Sequence, residues 1–346
     1  MKLRLAALAL LLALGARVAW RYETEAPTGG PVIEVVIPPG SPTLSIGERL
    51  VKAGVIPRAW SFQMLVRLRG DGARMKAGRY RFEGPYSMLD VEQKLATGDI
   101  ERREITFPEG RNMFDMAEIA GRSGLSAERF LAAAKDVSAI ADLDPLATSL
   151  EGYLFPETYD LQDGMAETAL TAAMVKSARR VFLELGLDAS GRAIAGVRLT
   201  LREIVTLASI VELETAAPEE RPRIAGVFLN RMKKKMRLQT DPTVIYALKL
   251  GGRYDGNIHK ADLDNASPYN TYRFAGLPPG PIGSAGRAAL QAVLQPEATD
   301  ALYFVSRNDG THVFSANLRD HERAVDEFQR RRSRAGARAV PVPPAR

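Results

Sequence analysis

The chain has no cysteine, which excludes structural disulfides and thiolate metal sites together. Histidine is scarce as well. The three present, His259, His312 and His321, are scattered and read as surface or loop residues rather than ligands or catalysts. No Gly-rich loop ends in Gly-Lys-Ser/Thr, and no His-Glu-x-x-His helix is present. Ser284-Ala-Gly286 has Ile282 where a nucleophile elbow needs its first glycine. No metal, nucleotide or other cofactor is expected, and no nucleic acid is expected as a partner.

What is present suits a globular protein. With 346 residues, 46% hydrophobic and 25% charged, the chain can bury a full core and hold more than one domain. A formal charge of +6 by itself suits nucleic acid, an anionic membrane surface or an acidic polymer equally well. Its local sources, Lys233-Lys-Lys235 and Gln329-Arg-Arg-Arg-Ser-Arg334, read as solvated helix ends and a tail.

Met1-Lys-Leu-Arg4 is basic, and Leu5 to Ala16 is a continuous run of Leu, Ala and Gly. A helix from Leu3 to Trp20 would reach roughly 27 Å, with Arg17 snorkelling and Trp20 and Tyr22 in an aromatic belt. The expectation is a cytoplasmic tip at 1–4 and a single-pass transmembrane anchor at 5–22. Lys2 and Arg4 then stay inside and the rest is exported. A cleaved signal peptide is the alternative.

A Pro/Gly-rich linker occupies 23–31. Beyond it a pattern recurs: Val35-Val-Ile-Pro-Pro-Gly40 lines up with Ile105-Thr-Phe-Pro-Glu-Gly110, 70 residues later, and Gly54 with Gly124. Each copy reads as strand, turn, two helices and a Gly-aromatic strand, Gly78 to Phe82 in the first and Gly152 to Phe155 in the second. The expected fold class is α+β: the membrane helix, a βααβ module at 32–105, and a mostly helical α+β domain at 106–332. A second βααβ-like unit falls at 105–160, and 333–346 reads as a disordered tail. Asn308-Asp-Gly310 marks a hairpin between two apolar runs. The loop Gly276-Leu-Pro-Pro-Gly-Pro-Ile282 should be rigid, because proline fixes φ.

Thr200 and Glu203 form a capping box that opens a helix running to about Thr215. It carries Glu212 and Glu214. Two residues apart on a helix point about 200° away from each other, so the pair cannot line one cleft as glycosidase acids would. The wheel puts Glu214 with Leu207 and Ile210. It also lies in the last turn, where the helix dipole disfavours a carboxylate. Apolar neighbours add desolvation, and a Glu kept protonated near neutral pH is a general acid. The competing reading of either Glu is a salt-bridged helix end facing Arg221 or Arg223.

The stretch Leu207-Ala-Ser-Ile-Val-Glu-Leu-Glu-Thr215 is followed by Arg237-Leu-Gln-Thr-Asp-Pro-Thr-Val-Ile-Tyr246, Tyr269-Asn-Thr-Tyr272 and Gly276-Leu-Pro-Pro-Gly280. Together with Glu151-Gly-Tyr-Leu-Phe-Pro-Glu-Thr-Tyr159, these motifs closely resemble the endolytic murein transglycosylases of the MltG (YceG-like) family. The resemblance covers nearly the whole chain. It implies a single-pass protein of a bacterial inner membrane with its catalytic domain in the periplasm, a LysM-like module at 32–105, the catalytic domain behind it, and Glu214 as the catalytic acid/base. It implies cleavage within peptidoglycan glycan strands, a lyase reaction leaving 1,6-anhydro-N-acetylmuramic acid ends. Synthases of the elongation machinery are candidate partners in cell-wall biogenesis. Gln239, Thr240, Asp241, Tyr269, Asn270, Tyr272 and Glu151 are candidates for substrate contacts. Thr240 is equally placed to cap the following helix, and Tyr272 to lie in the core. Rival readings are a non-catalytic wall-binding scaffold and a true glycan hydrolase.

Overall fold

The structure, a computed structural model, describes residues 2–25, 31–101, 103–162 and 164–330. Most of the expected linker at 23–31 and the whole tail at 333–346 lie outside the described residues. The chain divides into two compact units, Met1–Glu104 with Asp160–Met165, and Ile105–Tyr159 with Ala166–Arg346.

The first unit contains α1 (Lys2–Glu25), β1 (Ile33–Ile37), α2 (Thr43–Lys52), α3 (Ala59–Arg69), β2 (Gly78–Phe82) and α4 (Met88–Thr97). β1 and β2 pair antiparallel, with Val35 opposite Tyr80. Alternation along the strands sends Val35, Ile37, Tyr80 and Phe82 inward, onto Ile46, Leu50, Phe62, Val66, Val91 and Leu95 from the helices. Ser87 and Asp90 make the capping box that starts α4, and Gly98 ends it in the left-handed conformation.

The anchor expected at 5–22 is corrected here. Among the described residues, no helix is long and apolar enough to cross a membrane. The single-pass transmembrane topology, and the inner-membrane and periplasmic placement built on it, fall with that finding. The charge-free run Leu5 to Ala16 spans only about 18 Å as a helix, against a hydrocarbon core of about 30 Å. Past Arg17, Trp20 and Thr24 meet protein while Val18 and Tyr22 stay exposed. Trp20, assigned to an aromatic belt, packs against the core of the first unit. Thr24 is buried, and Arg21 pairs with Glu25 at 3.0 Å.

The second unit is α+β. It begins with β3 (Glu104–Thr106), α5 (Met113–Arg122), α6 (Ala127–Ala134) and β4 (Thr158–Asp160), in which β3 pairs with β4. The closing strand therefore lies later than the expected 152–155. Gly152 instead turns the chain at φ 81°, and a Cβ there would come within 2.5 Å of Pro281 and 2.9 Å of Val205. After α7 (Glu167–Glu184) comes a hairpin that the helical reading missed, β5 (Arg192–Ile194) and β6 (Val197–Leu199). Then follow α8 (Leu201–Glu214), α9 (Arg221–Lys233), α10 (Asp241–Leu250) and α11 (Arg287–Leu294). The hairpin β7 (Tyr303–Ser306) and β8 (His312–Ser315) and the helix α12 (Leu318–Val325) complete the unit. α8 is the central element: Leu201, Ile204, Leu207, Ala208, Ile210 and Val211 are all fully buried.

Candidate active site

α8 starts where its sequence says it should. Glu203 N–H donates to Thr200 Oγ1, and Thr200 N–H donates back to Glu203 at 2.8 Å. It ends at Glu214 because Thr215 turns to an extended conformation, φ −142° and ψ 139°, and its hydroxyl accepts Ala217 N–H at 3.0 Å. Two carboxylates two residues apart then meet different surroundings. Glu212 points into the protein: Arg221 Nη2 lies 2.6 Å from its Oε1, and Gly286 N–H donates to its Oε2 at 2.9 Å. The salt-bridged reading belongs to Glu212.

Glu214, half-buried on the other flank, has no ion pair among the described residues. Its Oε1 accepts the hydroxyl of Thr240. Burial pushes its pKa up to about 7, and the charge of Asp241 adds to the rise, against the Thr240 hydrogen bond and the charge of Arg231. A carboxyl raised towards neutral pH can hold a proton there and release it, the condition for donating a proton and taking it back.

Thr240 sits at the N-cap position of α10, yet its hydroxyl caps nothing and is spent on Glu214. Two further threonines hold it there. Its N–H donates to Thr271 Oγ1 at 3.1 Å, Thr271 and Thr243 share a hydroxyl contact of 2.8 Å, and Thr243 Oγ1 donates to Thr240 O at 2.7 Å. Gln239, exposed, is held at φ 52°, a left-handed strain for a side chain with a Cβ. Asp241 is exposed in the first turn of α10 and accepts the Tyr272 hydroxyl at 2.6 Å. Burial and that hydrogen bond raise the phenol's pKa, with the charges of Asp241 and Glu214 contributing. Glu214, Gln239, Thr240, Asp241 and Tyr272 thus come together.

The other three candidates stand differently. Asn270 is fully buried, and its side-chain amide is consumed by Leu263 O, Asn265 O and Tyr272 N–H at 2.8–3.0 Å. Tyr269 packs on Tyr246 with ring centroids 4.9 Å apart. Glu151, only 3% exposed, accepts Met113 N–H at 3.0 Å. Burial pushes its pKa up to about 7, against its hydrogen bonds to Met113, Tyr246 and Gly152. Asn270 and Glu151 are thus closed off from solvent, while Tyr269 stays half-exposed.

The proline loop is fastened to α8. Arg202 Nε donates to Pro279 O at 2.6 Å, and Ile282 N–H donates to Ser209 Oγ at 3.1 Å. Sequence reasoning passed over Thr243, Thr271, Ser209 and Arg231. Only Thr243 carried a signal, three residues after Thr240 at a helix start.

The chain as a whole is similar to known proteins. Over 315 residues the chain is 33% identical to the endolytic murein transglycosylase of Bacillus subtilis, covering 86% of this chain and 84% of that protein. It is 31% identical over 328 residues to the Streptococcus pneumoniae protein of the same name, covering 85% of this chain and 58% of that longer one. A crystal structure of a protein described as YceG-like from Listeria monocytogenes superposes with a TM-score of 0.55 at 30% identity, covering 84% of this chain and 98% of that one. Residues 35–327 match the YceG-like family as one continuous span that takes in α8, the Thr240 loop and the proline loop, and the chain belongs to that family.

Proposed function

We propose that the protein is a lytic transglycosylase that cuts within peptidoglycan glycan strands. The bond broken is the β-1,4 link between N-acetylmuramic acid and N-acetylglucosamine, and the new ends carry 1,6-anhydro-N-acetylmuramic acid. The observation that carries this reading is Glu214, a helix-end carboxyl held near neutrality beside a rim of Gln239, Asp241 and Tyr272. Relatives named endolytic murein transglycosylases support the substrate class.

One acid suffices for this chemistry. Glu214 gives its proton to the bridging oxygen, the glucosamine O4 leaves as a hydroxyl, and the muramyl C1 becomes oxocarbenium-like. The sugar's own C6 hydroxyl then attacks C1, and Glu214, now a carboxylate, takes its proton. The acid ends in its starting state and no water is consumed. An intramolecular nucleophile gains from proximity, which replaces the second carboxylate that a hydrolase needs. Thr240 aims the acid. Gln239, Asp241 and Tyr272 bind the sugars, while Glu151, Tyr269 and Asn270 support the loop beneath them. Residues 32–105 are a LysM-like module that holds the strand. Cuts placed within nascent strands set their length, alongside the elongation synthases.

Digestion of purified sacculi by the parent protein and by Glu214→Gln tests this. The parent should release fragments with anhydro ends and the variant none. Equal release by both would remove Glu214 from the chemistry, and a parent that releases nothing would leave a binding protein.

A further inference from the structure

Arg231 is 7% exposed, on the inner face of α9. A buried guanidinium usually meets a carboxylate, because an unpaired charge in low dielectric is costly. This one meets no carboxylate within 4 Å among the described residues. Its Nε donates to Leu302 O at 2.6 Å, and its Nη1 donates to Leu238 O at 2.7 Å and Arg237 O at 3.3 Å. The group also lies over the Tyr303 ring, 5.2 Å from its centroid. Every acceptor is a neutral carbonyl, so the positive charge is solvated by dipoles but not cancelled. Two of those carbonyls immediately precede Gln239 and Thr240, the residues that meet Glu214 and its rim.

We propose that Arg231 is a positioning residue for the acid/base: it ties down the 237–240 loop that delivers the Thr240 hydroxyl, and its positive charge, cancelled by no carboxylate within 4 Å among the described residues, acts on the Glu214 carboxylate. This rests on the transglycosylase reading above. In that reading Glu214 is anionic between donating its proton and recovering it, and a fixed positive charge stabilises that state without spending time on reorganisation. The electrostatics agree, since the charge of Arg231 pulls the Glu214 pKa down against burial. The other groups facing Glu214 are Thr240, Asp241 and Tyr272. Around the guanidinium stand Tyr303 and His321, and burial together with the charge of Arg231 lowers the His321 pKa, against the charge of Glu322.

The test uses the full chain as Arg231→Met, Arg231→Gln and Arg231→Lys. The Glu214 carboxyl is titrated by carbon NMR, its signal identified by its absence in Glu214→Gln, and turnover on soluble glycan strands is followed against pH. Losing the charge should raise the Glu214 midpoint by about one pH unit in Met and Gln, and the basic limb of turnover should move with it. Lys should keep the midpoint and lose about tenfold in turnover, because an ammonium cannot span both loop carbonyls as the planar fork does. If the Met variant does not fold, the Gln variant, which can still donate to the loop, carries the same expectation. A folded Met or Gln variant with an unmoved midpoint overturns the proposal, as does an equal rise in Lys. A parent that makes no anhydro ends would sink the transglycosylase reading, while the titration would still report on Arg231.

Discussion

Glu214 and Glu151 lie in the same unit, and burial pushes both carboxyls up to about 7. The ground around them differs. Glu214 ends a helix, stays half-exposed, and has a hydroxyl partner with Asp241 and Arg231 acting on it electrostatically. Glu151 is sealed, 3% exposed, and spends one oxygen on the first N–H of α5. A carboxyl near neutrality can serve catalysis only where a substrate oxygen can reach it. Inside, the same pKa records the cost of burying an acid, and the proton is a structural component. A perturbed pKa locates stress in the fold, and access decides whether it can become chemistry.

The comparison breaks most sharply by mutation of both. Glu214→Gln should lower turnover about 10³-fold, the usual weight of a positioned acid/base, while Glu151→Gln stays within about tenfold of the parent. Reversed losses in single-turnover assays would place the acid at the sealed site. Glu212 on the same helix is the internal control. Glu212→Gln breaks the buried pair with Arg221 and should cost about 3 kcal/mol in denaturant unfolding while leaving the chemical step of the folded fraction intact. A stable but inactive Glu212→Gln would contradict the division of labour on α8.

Stability against pH sharpens the contrast. An acid raised in the fold binds its proton more tightly there than in the unfolded chain. Glu151 therefore supports the fold fully below its unfolded value of about 4.5, and that support is lost as pH rises through about 7. Between those limits the parent should lose about 2 kcal/mol more than Glu151→Gln does. Parallel stability curves would mean that the acid is solvated after all. The smallest effect is expected at Thr240. Thr240→Val removes the hydrogen bond that favours the ionised acid, so the basic limb of turnover should move to higher pH. The rate should fall about fivefold, since a single orienting hydrogen bond is worth about 1 kcal/mol. An unmoved limb would show that the hydroxyl does not act on Glu214.

The helix wheel separated Glu212 from Glu214 before any coordinates, and the capping box placed the start of α8, because both depend on residues within two turns of each other. Arg231 was illegible for the opposite reason. Its farthest partner is a main-chain carbonyl 71 residues away, and main-chain acceptors leave no mark on side-chain spacing. The closing strand of the second βααβ-like unit was misplaced because Gly152, read as a strand start, serves close packing beneath Pro281. The β5–β6 turn went unseen because Ala195 takes φ 47°, a role that sequence patterns assign to Gly or Asn. The apolar N-terminus misled through composition alone: Trp20 fits a membrane interface and a protein core equally well, and only packing tells them apart.

The central claim is that Glu214 works alone, with the sugar's own hydroxyl as nucleophile. Digestion of sacculi in heavy-oxygen water, followed by mass spectrometry of the new ends, tests it most directly. The account predicts muramyl ends with the mass of a dehydrated sugar and no label. Labelled reducing ends, one heavy oxygen per cut, would contradict it even if Glu214 proved essential.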